Sequence, residues 1–242
     1  MNISHLYTTF FWQPLFNSLV FLYAVLPWHD LGFAIIVLTI VIRLLLAPSF
    51  WKSQQSQKNM AAIQPELKRI QAELKNDREA QGKAMMELYA KHHMSPLSPV
   101  SGCLIMLIQI PILFALFGVF RAILNPADMI YLYSFVAKPT VLNPISFGVL
   151  DLGHRSISLG VLAAISQYFQ IKMTLPATPP EQEQEFARAM RVQAPFIFPA
   201  VIFVASLSSP AALGLYWTVL NAFGILQEIV TRKWKKWKPN AS

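Results

Sequence analysis

Gly32 to Phe50, GFAIIVLTIVIRLLLAPSF, is long and apolar enough to cross a bilayer as a helix, yet Arg43 falls inside it. A charged side chain in hydrocarbon is costly even on the lenient insertion scales. At about 1.5 Å per residue, Arg43 lies roughly 16 Å from the Gly32 end and about 10 Å from the Phe50 end. Thr39 sits one turn earlier on the same helical face. Two readings compete: an arginine that snorkels to the headgroups, or one that faces a wet cavity and meets an acidic or polar guest. Other apolar stretches carry large polar residues too: Gln109, Gln167, Gln170, and Asn221 with Trp217. Each glutamine or asparagine taken alone serves equally well as interhelical glue. Arg43 differs, because no acidic residue falls inside an apolar span to neutralise it; Glu228 comes nearest and lies towards the end of its helix. The chemistry such a set suits is transient hydrogen bonding in a hydrated groove.

Bond-breaking chemistry is not expected. GxSxG, HExxH, GxxxxGKS/T and GxGxxG are all absent from the sequence. No pair of intramembrane acids suggests a proton relay. His92 and His93 are adjacent, which is not the spacing of a helical metal pair. The sequence therefore predicts no enzyme, no cofactor and no metal.

The elements that hold these residues are read from composition and pattern. Of 242 residues, 55% are hydrophobic and 13% charged, against about 25% charged in a soluble domain. The chain reads as an all-α integral membrane protein. Cys103 is the single cysteine, so no intramolecular disulfide is possible; in its apolar run it reads as a small packing residue.

Residues 1–31 contain no Lys or Arg, so a cleaved secretory signal is not expected. Within 10–27, Leu15, Leu19, Leu22 and Leu26 recur at roughly helical spacing, with Gln13, Asn17 and Ala24 mostly elsewhere. This predicts an amphipathic helix in the outer interface, with a further span as the competing reading. Trp12, Tyr23 and Trp28 suit an interface on either. Residues 51–98 are polar and rich in helix formers. Pro65 suits a helix start, Leu67, Ile70 and Leu74 form one stripe, Asn76-Asp77 reads as a turn, and Ala84, Met85, Leu88 and Tyr89 form a second stripe. The pattern predicts an antiparallel helical hairpin outside the membrane, ended by His92-His93. Ser95 to Pro99 then breaks the chain.

Five spans are predicted, at about 32–50, 100–124, 157–175, 192–207 and 211–230, within a core from 32 to 230. Pro111 should bend the second. Residues 125–156 read as a loop with Asn125-Pro126 and Asn143-Pro144. Ser166, Gln167 and Gln170 lie on one side of the third span. A polar segment covers 176–191, Pro195 and Pro199 fall in the fourth span, and Ser208-Ser209-Pro210 makes a tight turn. In the last span, Trp217, Asn221, Gly224 and Glu228 share one helical face. Residues 231–242 form a basic tail with Trp234 and Trp237 interleaved.

Charge sets the orientation. Eight Lys and Arg fall in 51–98, three in 172–191 and five in 231–242, whereas the other side holds Lys138 and Arg155, with Arg121 near a span end. The positive-inside rule places the hairpin and the tail in the cytoplasm and the N-terminus outside. An odd number of spans agrees.

Several stretches together resemble the YidC/Oxa/Alb family of membrane protein insertases. They are Trp12-Gln13-Pro14-Leu15, the run from Leu31 to Ile36 with Ile42-Arg43-Leu44, Gln64-Pro65, Met85-Met86-Glu87-Leu88-Tyr89, Gly102-Cys103-Leu104, Leu107 to Ile112 around Gln109, and Gly214-Leu215-Tyr216-Trp217-Thr218 with Asn221. The resemblance implies a five-helix insertase core in a bacterial plasma membrane, with a hydrophilic groove open to cytoplasm and lipid. It carries the groove arginine onto Arg43, with Gln109 and Trp217 at matching positions. It implies nascent membrane proteins and the lipid bilayer as partners, with the ribosome, through the hairpin and basic tail, and the Sec translocon as further candidates; no specific nucleic-acid sequence is implied. The chain departs from the pattern in lacking the large periplasmic domain of Gram-negative members, in the longer linker SPLSPVS, and in a short tail. The function expected is insertion of hydrophobic segments into the bilayer, aided by a polar groove of Arg43, Thr39, Gln109, Gln167, Gln170, Trp217 and Asn221. The alternative is a small transporter or channel, which would normally show inverted repeats; none is visible.

Overall fold

The computed structural model describes residues 2–26, 28–95, 101–139, 142–175 and 185–237. Its helices are α1 (Ile3–Tyr7), α2 (Gln13–Val25), α3 (Leu31–Glu73), α4 (Arg78–Lys91), α5 (Ser101–Ala122), α6 (Ile157–Thr174), α7 (Glu185–Leu207) and α8 (Ala211–Trp237). A π-helical turn, Thr8–Trp12, joins α1 to α2, and a 3-10 turn, Pro126–Tyr131, follows α5. A two-stranded antiparallel ribbon pairs β1 (Ile145–Ser146) with β2 (Leu150–Asp151). Expectations placed on residues 96–100, 176–184 and 238–242, and on the side chains of Cys103, Trp234 and Trp237, lie outside the described residues.

The chain divides into two compact units. One comprises Met1–Leu45, Ile110–Thr174 and Gln193–Ser242; the other comprises Leu46–Gln109 and Leu175–Val192. Among the described residues, two helices are long and apolar enough to cross a membrane, α3 and the Ala211–Lys233 part of α8.

The first unit is built on a core of Phe16, Leu19 and Val20 from α2, Leu31, Ala34, Ile35 and Leu38 from α3, and Leu116, Val119 and Phe120 from α5. Leu159 and Ala163 of α6 join it, with Ala211 to Leu213 and Leu215 to Trp217 of α8. Close approach of α6 and α8 depends on glycine. A Cβ at Gly214 would lie 3.1 Å from the Cβ of Leu159 and 3.3 Å from its carbonyl carbon. Small residues at such seams let membrane helices make the contacts that hold them together. Ser208 to Pro210 turns the chain from α7 to α8, as its residue types predict.

Asn17 and Tyr23 are not where the amphipathic reading puts them. The stripe Leu15, Leu19, Leu22 and Leu26 does turn inward, but Asn17 is 3% exposed and Tyr23 is buried beside it. Asn17 Nδ2 donates to the Tyr131 carbonyl at 3.1 Å, and Asn17 Oδ1 accepts from the Tyr133 amide at 2.6 Å. The Tyr23 hydroxyl accepts from the Asn143 amide at 3.1 Å. Both residues meet orphan backbone groups of the 125–156 segment, and a buried polar side chain is tolerated where it satisfies such groups. Trp12 packs on Gly118 and edge-on to Tyr131, whereas Trp28 stays exposed.

The described parts of the 125–156 segment include regular structure, the 3-10 turn and the ribbon. Asn125 caps the 3-10 turn by accepting from Ala127 N at 3.2 Å, and Asn143 Oδ1 accepts from Ile145 N at 2.9 Å. Phe147 and Gly148 take positive φ of 53° and 74° at the tip of the ribbon, the backbone a tight hairpin turn requires. Asp30 fastens the ribbon to the start of α3: its carboxylate accepts from Phe33 N at 2.9 Å and Phe147 N at 2.6 Å. Partial burial pushes the Asp30 carboxyl up, but the Phe147, Phe33 and Gly32 amides and the Ser146 hydroxyl outweigh it and hold it below the usual range. The carbonyls of His154 and Leu152 accept from Ala211 N and Ala212 N, closing the N-terminus of α8.

In the second unit, Ile63 and Leu67 of α3 pack with Leu88 and Tyr89 of α4 and with Met94, flanked by Met60, Ile70 and Met85. Leu67, Ile70, Met85, Leu88 and Tyr89 belong to the stripes read from the sequence; Leu74 and Ala84 do not enter this cluster. The chain turns at 74–76, and Asp77 caps α4 by accepting from Glu79 N at 3.1 Å and Ala80 N at 2.9 Å. Pro65 does not start a helix; it lies in the interior of α3, as does Pro48. A proline there removes one backbone hydrogen bond, and the packing of Ile63 and Leu67 on either side of Pro65 holds the helix through the gap. α4 ends in a Schellman turn: His93 has φ 51°, its N–H reaches the Ala90 carbonyl at 3.0 Å, and Met94 N reaches the Tyr89 carbonyl at 2.8 Å.

A candidate polar groove on α3, α6 and α8

Arg43 projects from α3 into the first unit and is 7% exposed. Its Nη2 lies 3.5 Å from the Leu220 carbonyl oxygen of α8, at the outer limit of hydrogen bonding. Helical periodicity puts Thr39 one turn away; it is buried, and its hydroxyl donates back to the Ile35 carbonyl at 2.6 Å. That back-bond is the ordinary resting place of a threonine hydroxyl in a membrane helix.

On α8, Trp217, Asn221, Gly224 and Glu228 are all buried, so the face read from their spacing is the packed face. Asn221 Nδ2 donates to Ser166 Oγ at 3.0 Å and lies 3.4 Å from the Ala163 carbonyl, both on α6. One turn on, the side chain of Gln170 fills the space that a Cβ at Gly224 would need. Gln167 Nε2 lies 3.5 Å from Gln170 Oε1. Near the C-terminal end of the pair, Glu228 is 1% exposed, and Arg232 Nε donates to it at 2.8 Å while Arg232 Nη2 donates to the Met173 carbonyl.

Six of the seven residues expected to line a groove therefore fall in the first unit. Arg43 is tied to α8 at the residue before Asn221, and Asn221, Gln167 and Gln170 sit along the seam of α6 and α8. Gln109 is half-buried on α5 and belongs to the second unit. The Leu220 carbonyl escaped the sequence reading because a backbone acceptor has no residue-type signature. Arg232, counted in the basic tail, is the partner of Glu228; the i, i+4 spacing was the available signal. Among the described residues no group of three or more His, Cys, Asp or Glu could hold a metal.

Arranged this way, the site offers one guanidinium and several amides against apolar helix walls.

The family model described as 60Kd inner membrane protein matches residues 21–238. The chain is 32% identical over 206 residues to the membrane protein insertase YidC of Fusobacterium nucleatum subsp. nucleatum, covering 84% of this chain and 87% of the relative. It is 33% identical over 230 residues to that of Staphylococcus aureus strain JH9, covering 91% and 73%. To the protein of the same name from Geobacter metallireducens it is 33% identical over 225 residues, 91% of this chain but 36% of the relative. The chain thus spans about a third of the length of that relative and of its counterpart from Syntrophobacter fumaroxidans, where the share is 37%. A solved structure described as an active YidC insertase with the first transmembrane domain resolved matches with a TM-score of 0.52 at 23% identity, over 91% of this chain and 46% of that one. At that identity the likeness concerns the fold alone. The matched family model and the relatives covered over most of their length place the chain plainly: it belongs to the 60Kd inner membrane protein family, that of the YidC membrane protein insertases.

Proposed function

We propose that this chain is a membrane protein insertase that acts without nucleotide or cofactor. The observation that carries the reading is Arg43: a guanidinium in an apolar helix, covered by neighbours, and held to the Leu220 carbonyl by a bond of 3.5 Å. A contact of that length is at the outer limit of hydrogen bonding. In the resting chain it shields the charge; when a polar stretch of an incoming segment arrives with water from the cytoplasm, the guanidinium turns to it. The amides of Gln167, Gln170 and Asn221 and the indole of Trp217 offer secondary contacts. The apolar part of the guest passes into lipid, driven by about 25 cal/mol per Å² of apolar surface removed from water.

In this reading the core spans the membrane five times, the N-terminal helix lies in the outer interface, and the segment 125–156 faces outward. The 51–98 helices and the C-terminal basic residues lie in the cytoplasm, available to ribosomes or the Sec translocon. The thirteen cations of those cytoplasmic parts favour that orientation. The membrane potential opposes outward transfer of acidic segments by about 2.3 kcal/mol per charge per 100 mV, so such substrates depend most on Arg43.

The test is insertion of a panel of substrates into vesicles that contain the purified chain. Arg43→Ala should impair insertion, most for substrates with acidic translocated regions, while circular dichroism shows the helices intact. Arg43→Lys should be milder if charge rather than bidentate geometry matters. Wild-type insertion of every substrate by Arg43→Ala would remove the electrostatic role.

A further inference from the structure

The second unit contains a cavity of about 540 Å³ lined by Pro48, Trp51, Lys52, Gln55, Ser56, Asn59, His93, Met94 and Ser95. The α3 residues recur at i, i+3, i+4, i+7, i+8 and i+11, a single helical face. The other wall is set by the Schellman turn of α4, whose left-handed His93 carries Met94 back onto the Ile63–Leu67 cluster. The lining is chemically one-sided. It holds a lysine, a histidine, two amides and two hydroxyls, and no carboxylate. Among the described residues Lys52 makes no ion pair with an acid. Gln55 Nε2 donates to Asn59 Oδ1 at 2.8 Å, which leaves the Asn59 amide nitrogen as a donor. Trp51, 49% exposed, and Met94 supply the apolar part.

Donors and positive charge beside an indole and a thioether fit a phosphate-bearing anion that also carries an apolar part. Position favours a lipid. The apolar run ends at Phe50, and Lys52 to Ser56 then rises about 6 Å along the helix, close to the depth of one headgroup layer at about 5–8 Å. Tryptophan marks that layer in membrane proteins. We infer that the cavity formed by the α3 face from Pro48 to Asn59 and the turn His93 to Ser95 binds a phosphate-bearing anion, the headgroup of an anionic phospholipid. The inference rests on the reading of α3 as a membrane span, and not on insertase activity.

Binding is measured on the full chain in detergent by native mass spectrometry, with phosphatidylglycerol as the probe and inorganic phosphate as competitor. The wild-type chain should retain phosphatidylglycerol. Lys52→Gln should weaken retention about tenfold, the loss of one charge-assisted contact, with a smaller loss for His93→Gln. Lys75→Gln removes the same charge from the exposed turn before α4 and should bind as the wild type does. Equal loss in Lys52→Gln and Lys75→Gln, or loss in neither, would overturn the site. Displacement by inorganic phosphate at concentrations equal to the lipid would keep the phosphate chemistry and overturn the lipid as its source. Resistance of the chain to alkaline extraction from membranes, read in parallel, tests the span itself. A chain that stays in the membrane yet does not distinguish Lys52→Gln from Lys75→Gln therefore condemns the cavity and leaves the span standing.

Discussion

Two polar residues buried in the first unit illustrate opposite uses of a hydrogen bond. Asn17 is satisfied at short distances, with the Tyr133 amide at 2.6 Å and the Gln13 carbonyl at 2.8 Å. Arg43 Nη2 lies 3.5 Å from the Leu220 carbonyl. The first arrangement is a clamp, whereas the Arg43–Leu220 contact is at the outer limit of hydrogen bonding. Asn17→Ala leaves the Tyr131 carbonyl and the Tyr133 amide without that partner, and should cost about 1–3 kcal/mol. Thermal or chemical denaturation of the detergent-solubilised chain measures it, and an unchanged midpoint would mean that water replaces the amide at no cost. At this scale the sequence marks residues by type but is a poor guide to what they touch. Arg43, Gln170 and Asn221 stand out by type in apolar surroundings. Asn17 looked like a polar outer face because its partners are backbone groups more than a hundred residues away, which no local pattern reports.

Two helices read from apolar periodicity lie close to their expected bounds, α6 at Ile157–Thr174 and α5 at Ser101–Ala122, whereas α3 at Leu31–Glu73 and α7 at Glu185–Leu207 run well beyond theirs. The misjudged elements share one cause, which is packing or pairing that overrides local preference. Pro65 has the look of a helix start, but contacts to Leu88 and Tyr89 carry α3 through it. The β1–β2 ribbon has only two residues a strand, too few for alternation to register. α8 runs on to Trp237, and within it Arg232 pairs with Glu228 one turn earlier. The seam between α6 and α8 makes a sharper test of element packing. Gly214→Val would drive side-chain atoms into the backbone of Leu159, and a well-packed seam resists that by about 1–3 kcal/mol. A lower melting temperature together with weaker protection of α8 amides from hydrogen exchange is the expected result. Unaltered protection would mean that the two helices part easily.

For the molecule as a whole, the proposed insertase activity rests on one physical condition. An arginine in the apolar helix of an insertase is useful only if water and a guest reach it from the cytoplasm, and the structure has it 7% exposed in the resting chain. Accessibility at position 43 is therefore the quantity to measure. The chain carries Cys103→Ser together with Arg43→Cys and is reconstituted in vesicles, and a membrane-impermeant charged thiol reagent is added to one face at a time. Leu45→Cys, at an exposed position on the apolar part of α3, serves as the lipid-facing comparison. The prediction is labelling of Arg43→Cys from the cytoplasmic face alone, faster when a substrate is engaged, with Leu45→Cys inert. Labelling of Arg43→Cys no faster than Leu45→Cys, or only from the outer face, would contradict the groove.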